Sequence, residues 1–145
     1  MKTLIIYDST FGNTKIIAEA LAKEFGEEAK AILVKDFIDS DILGVELLIV
    51  GSPIIRWRPT ENIERFLVNL QKDHLKGIKA TAFDTRIKLF IHGDAAKKIS
   101  RILDAIGAEI ITEPEVFYVQ GNEGPLYSGE VEKAVSWANL ITKKI

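Results

Sequence analysis

Five apolar runs of strand length alternate with segments of helical spacing, and that alternation leaves few folds open. The runs are Leu4–Tyr7, Ala31–Val34, Val45–Val50, Ile78–Phe83 and Val116–Val119. Between the first two, Ile16, Ile17, Ala20 and Leu21 recur at helical intervals; Ile63, Phe66, Leu67 and Leu70 mark a second such segment. A third carries Ile99, Ile102, Leu103 and Ile106 and stops at Gly107, and the last carries Val131, Ala134, Val135, Ala138 and Ile141. The stretch Asp36–Leu43 is long enough only for one or two helical turns. This order predicts an α/β domain, a parallel sheet with helices on both faces joined by right-handed crossovers. Val45–Val50 is almost continuously apolar, as a strand covered on both faces should be. No repeat or linker interrupts the 145 residues, so one domain over 1–145 is expected, burying roughly 70% of its unfolded-chain surface.

Composition removes several function classes. With 47% apolar and 28% charged residues the chain reads as a globular protein, and no apolar run approaches the roughly 18 residues of a membrane span. It opens directly on a strand, which leaves no room for a signal peptide and makes a cytoplasmic location the expectation. Net charge is −2 with no long run of one sign, so neither nucleic acid nor a membrane is expected as partner. The sequence contains no cysteine. Disulfides, thiolate metal sites, iron–sulfur clusters and cysteine nucleophiles are thereby excluded, low-molecular-weight phosphatase chemistry among them. No metal site is expected. A phosphoryl-accepting receiver needs an Asp at the end of the third strand, where this chain has Val50-Gly51-Ser52.

In an open parallel sheet, ligands bind beyond the C-terminal strand ends, at the point where strand order reverses. Three loops leave that edge. The first, Asp8-Ser9-Thr10-Phe11-Gly12-Asn13-Thr14, joins a strand to a helix N-terminus. The first N–H groups of a helix lack internal partners and carry its positive dipole end, so hydroxyl and amide side chains around Gly12 make a donor pocket for a phosphate or other anion. One cap residue would serve the helix; four polar side chains exceed that need. The second loop, Gly51-Ser-Pro-Ile-Ile-Arg-Trp-Arg-Pro59, places Ile54, Ile55 and Trp57 where polar residues are usual. The third, Asp84–Asp94, carries Ile87, Leu89, Phe90 and Ile91. Two apolar loops flanking an anion pocket suit a ligand with a phosphate at one end and an aromatic plane at the other, the shape of a mononucleotide.

On these residues the sequence resembles the flavodoxins, in the short form without an insertion in the last strand, over essentially the whole chain. Ser9 and Thr10-Phe-Gly-Asn-Thr14 match that family's phosphate loop, which wraps the phosphate of flavin mononucleotide (FMN) without a basic side chain. Gly51-Ser52-Pro53 resembles the start of the inner wall against the flavin ring, continued here by Ile54, Ile55, Arg56 and Trp57. Ala82-Phe83-Asp84-Thr85 resembles the start of the outer wall; Arg86 and Gly93 belong to it, and the outer stacking aromatic falls at Phe90. The resemblance implies a flavodoxin-like three-layer sandwich, a five-stranded parallel sheet of order 2-1-3-4-5, FMN as cofactor, and electron transfer between redox partner proteins with no catalytic residue in the chain. Gly121-Asn-Glu-Gly-Pro-Leu126 is similar to a segment of some flavodoxin-like proteins and carries no assigned role.

The chain departs from the family in Ile54, where a hydroxyl residue is common, and in the cations Arg56, Arg58, Arg86 and Lys88 around loops that are often acidic. One cation about 8 Å from the ring, at an effective dielectric near 20, contributes about 2 kcal/mol. That is about 90 mV on a one-electron step before screening. A raised potential for the step to fully reduced flavin is expected on that count. The other functions weighed are an FMN-dependent NAD(P)H:quinone or flavin reductase and a flavodoxin-like binding domain that has lost FMN. His92 lies in the third loop and His74 near a helix end; they are the two histidines of the chain.

Overall fold

The computed structural model describes residues 1–70, 75–89 and 93–145. In chain order the elements are β1 (Thr3–Tyr7), α1 (Asn13–Phe25), β2 (Ala29–Leu33), β3 (Leu47–Pro53), α2 (Glu61–Leu70), β4 (Lys79–Ile87), α3 (Ala95–Ala105), β5 (Glu109–Ile110), β6 (Glu115–Val119) and α4 (Glu130–Lys143). The ambiguous stretch after β2 forms two short 3₁₀ turns, Val34–Asp36 and Asp39–Ile42. All pairings between these strands are parallel, in the order β2-β1-β3-β4-β5, with β6 also beside β4.

Side chains alternate across the strands and fill two cores. Leu4 and Ile6 of β1, Leu48 and Val50 of β3 and Ala80 and Ala82 of β4 pack with Ile63, Phe66, Leu67, Ile99 and Leu103, beneath α2 and α3. Ile5, Tyr7, Leu47, Ile49 and Phe83 pack on the opposite face with Ile17, Leu21, Trp137, Ala138 and Ile141, beneath α1 and α4. Each fully buried Leu, Ile or Phe stabilises the fold by about 1.5–3 kcal/mol. Ile16, which shares the helical spacing of α1, is instead 49% exposed, while Thr14 turns inward. Gly107 has φ 105° just past α3, the left-handed turn that ends the helix as its spacing predicts.

β2 and β3 are shifted by up to three residues from the expected runs, β3 ending at Pro53 rather than Val50, and two other sheet positions differ more. The fifth sheet position is split: β5 pairs Lys79 and Ala80, and β6 pairs Phe83 through Ile87. Pro114 between them has no N–H to offer the ladder. The fourth strand extends four residues beyond Phe83, through Asp84-Thr-Arg-Ile87, so the first half of the expected third loop is sheet. Charged residues are tolerated there because Asp84 and Arg86 pair with each other inside the fold.

Candidate functional site

The first loop is anchored at both ends by its own side chains. Asp8 donates its N–H to the Gly51 carbonyl at 3.1 Å, and its carboxylate accepts from the Ser9 N–H at 2.9 Å and the Thr60 hydroxyl at 2.6 Å. Thr60 also accepts the Ile63 N–H at 3.3 Å at the start of α2, so one carboxylate ties the first loop to the second. Ser9 Oγ accepts from the N–H of Gly12 at 3.1 Å and of Lys15 at 3.4 Å, doing the work of a cap from inside the turn. Gly12, at φ 94°, carries the backbone into α1 through the left-handed region. Asn13 and Thr14, the first two helical residues, have no intrahelical acceptor for their N–H groups. Their side chains reach elsewhere: Asn13 Nδ2 donates to the Glu123 carbonyl at 3.2 Å, and the buried Thr14 hydroxyl lies 2.9 Å from that of Thr85 on β4.

The second loop folds on itself as a two-residue hairpin. Ile55 and Arg58 exchange both backbone hydrogen bonds, at 2.8 and 3.2 Å, around Arg56 at φ 50° and Trp57 at φ 74°. Two positive φ values in succession are those of a type I′ turn, which favours Asn and Gly and strains a bulky residue. Trp57 stands 57% exposed. Gly93 of the third loop lies against this turn, where a Cβ would fall 1.8 Å from the Trp57 carbonyl oxygen.

These loops enclose a cavity of about 540 Å³ at the C-terminal edge of the sheet. Ser9, Thr10, Phe11, Asn13 and Thr14 line one end of it. Pro53, Ile54, Ile55 and Trp57 line the wall from the second loop, and Thr85, Arg86 and Gly93 that from β4 and the third loop. Both Ile55 and Trp57 face the cavity, so the departures at this loop do not remove an aromatic from it. Four further residues contribute. Ile87 and Leu89 are apolar positions of the expected third loop, whereas Val119 is expected only as a strand end and Asn122 only in the Gly121–Leu126 segment, to which no role is assigned. The signal for the latter pair was the rule already applied to three strands, since Val119 ends β6 at the same edge, beside Ile87.

Other expected site residues lie away from the cavity surface. Phe83 is fully buried in the α1–α4 core, in edge contact with Phe117 and Trp137 at centroid distances of 5.7 and 6.2 Å. Gly51 admits its ring, because a Cβ there would sit 2.1 Å from the Phe83 ring tip. Ser52 is also fully buried; its hydroxyl accepts from the Thr60 N–H at 3.1 Å and shapes the second loop from below. Gly12 and Arg56 shape their turns without lining the cavity. Phe90, His74 and His92 lie outside the described residues.

Asp84 and Arg86 form a buried cluster at the cavity wall. Arg86 donates from Nε and Nη2 to the two oxygens of Asp84, at 2.9 and 2.6 Å, and Nη2 lies 3.3 Å from Asp94 Oδ1. Asp84 Oδ2 also accepts the Ala96 N–H at 2.8 Å, in the first turn of α3. Burial pushes the Asp84 carboxyl above the usual carboxylate range, against the pull of Arg86 and the Ala96 N–H. Burial works against the Arg86 charge, but the bond to Asp84 and the charges of Asp84 and Asp94 hold its pKa above the ordinary value. Two of the four cations around the ring end are paired with carboxylates. Arg86 is offset by two carboxylates, Arg58 pairs with Glu64 at 3.3 Å, and the Lys88 ammonium lies over the Tyr127 ring at 4.3 Å. Pairing of Arg58 and Arg86 with carboxylates reduces the net positive charge behind the expectation of a raised flavin potential.

A family model for the flavodoxin domain matches residues 4–122 of the chain. The chain belongs to the flavodoxin domain family. No curated protein sequence matches it. Among solved structures it is similar to oxidised flavodoxin 2 of Bacillus cereus, at 24% identity and TM-score 0.85 over 100% of both chains. A flavodoxin from the domain Archaea is similar at 20% identity and TM-score 0.84, over 99% of this chain and 98% of that one. It also resembles part of rubredoxin oxygen:oxidoreductase from Desulfovibrio gigas, at 21% identity and TM-score 0.79, over 98% of this chain and 36% of that one. At these identities the structures establish a shared fold. The observed order β2-β1-β3-β4-β5 is the flavodoxin-like sandwich that the resemblance implied. Within this flavodoxin fold the cavity sits at the reversal of strand order, beyond the ends of β1 and β3.

Proposed function

We propose that this chain binds FMN non-covalently in the cavity and carries electrons between redox proteins. The observation that carries the reading is a single cavity with two chemically opposite ends, hydroxyls and a helix N-terminus at one and exposed apolar side chains at the other. The residues fit the group. Hydroxyl and amide side chains of Ser9, Thr10, Asn13 and Thr14 line the cavity beside a helix N-terminus, and about 540 Å³ is within the usual range for a small-molecule site. The N–H groups of Asn13 and Thr14, with the hydroxyls of Ser9, Thr10 and Thr14, would hold the phosphate. Ile54, Ile55, Trp57 and Leu89 would flank the ring and exclude water from it. FMN, when bound, supplies reversible uptake of electrons; the chain supplies binding, orientation and electrostatics.

No side chain need donate or remove a proton in this role, and the partner proteins follow from the reading rather than from any surface described above. The flavin absorption of the purified protein tests it. Blue-light absorption of oxidised flavin, retained through desalting or regained after FMN is added, is expected; a colourless protein that takes up no FMN would overturn it. Turnover of NADPH with a quinone by the FMN-loaded chain would move the function to the reductase class.

A further inference from the structure

We propose that Arg86 is a positioning residue that sets the ring-facing wall of the cavity by clamping β4 to the start of α3. The proposal rests on the FMN reading above and names what orients the ring end of that site. Along β4, Phe83 and Thr85 face α1 and α4, whereas Asp84 and Arg86 share the parity of Ala82 and face α2 and α3. Arg86 reaches the cavity from that side while 6% exposed.

Its two carboxylate partners belong to different elements. Asp84 sits on the same strand two residues earlier and holds the Ala96 N–H; Asp94 is the N-cap of α3 and accepts the Lys97 N–H at 2.8 Å. One guanidinium thus fixes the strand that carries Thr85 and Ile87 to the helix start that follows Gly93. Gly93 in turn lies against the Trp57 carbonyl, so a shift of the α3 start would push on the strained turn that presents Trp57. Burying such a cluster is not the most stabilising use of the space, since apolar residues of similar volume are often as stable or more so. What a bidentate, planar guanidinium adds is fixed geometry. The wall on which a ring would lie is therefore located by charge-assisted bonds, whereas the phosphate loop has anchors of its own in Asp8 and Ser9 and touches β4 through the Thr14–Thr85 hydroxyl pair.

Those separate anchors make the inference testable. FMN, riboflavin (the same ring without phosphate) and inorganic phosphate are titrated into the full chain. Phosphate is followed by the amide signals of Gly12, Asn13 and Thr14. In Arg86→Met, FMN and riboflavin should weaken by a common factor, on the order of 10- to 100-fold, as supporting partners do at other sites. Phosphate binding should be unchanged, and Arg86→Lys should recover part of the loss. Riboflavin affinity unchanged in Arg86→Met, or phosphate weakened as much as riboflavin, would overturn the proposal. Should Arg86→Met fail to fold, Asp94→Asn decides: Asn keeps the helix cap, so the chain should fold and show a smaller loss for both flavins. No loss in Asp94→Asn would then contradict the clamp. A wild-type chain that binds neither flavin overturns the FMN reading itself, and this inference with it, before any variant is made.

Discussion

Gly51 and Phe83 face each other across β3 and β4, and their fit explains why an aromatic at the sheet's functional edge is not a site residue. The ring occupies the volume a Cβ would take, 2.1 Å away. Gly51→Ala should therefore destabilise by about 1–3 kcal/mol through overpacking, measured by denaturant unfolding. Gly12 is the opposite case. Its φ of 94° strains any side chain, but a Cβ meets no atom within 4 Å. Gly12→Val should fold with a loss of about 1–2 kcal/mol from the left-handed backbone. It should weaken FMN more than riboflavin, because the turn at Gly12 sets the N–H groups that would hold the phosphate and lies away from the ring end. Equal losses for the two ligands, read by flavin fluorescence, would contradict that assignment. Trp57 combines strain with exposure. Trp57→Gly relieves a positive φ but gives up the buried part of the Trp side chain and adds backbone entropy to the unfolded chain, so stability without ligand should change by no more than about 1–2 kcal/mol while riboflavin binding falls.

At the scale of elements, periodicity located the helices and strand centres because burial imposes it, and it failed where polar residues are buried in pairs. The reading ended β4 at Phe83 since Asp84-Thr-Arg86 looks like a loop; the bidentate pair to Arg86 lets the strand continue to Ile87. Trp137, 4% exposed and central to the α1–α4 core, was passed over in a helix whose Ala and Ile residues carried the pattern. The first loop was legible in detail because helix-start chemistry is local: a glycine, donors and a strand before it suffice to place an anion pocket. The ring end was only half legible. Its apolar residues stood out, but Val119 and Asn122 come from the end of β6 and the turn after it, distant in sequence, and no local signal shows that Arg56 and Trp57 share a hairpin turn. Charges counted along the sequence omit partners that only the folded chain supplies, since Glu64 lies beside Arg58, and Asp84 and Asp94 beside Arg86.

The whole molecule is a sheet with two filled cores and one edge where loops, rather than core, meet. No helix among the described residues is long and apolar enough to cross a membrane, and no cluster of His, Asp or Glu among them could hold a metal ion. Its site should then be a low-stability region coupled to ligand, with the cores beneath supplying most of the stability. A ligand that binds only the folded chain stabilises it by about 2.7 kcal/mol at one hundred times its Kd, so FMN should raise the melting temperature in a concentration-dependent way. The most direct measurement is a calorimetric titration of FMN into flavin-free protein, with riboflavin titrated in parallel. One FMN per chain, bound more tightly than riboflavin, is the predicted result. Absence of FMN binding, or equal affinity for the two ligands, would contradict a cavity built with a phosphate end and a ring end.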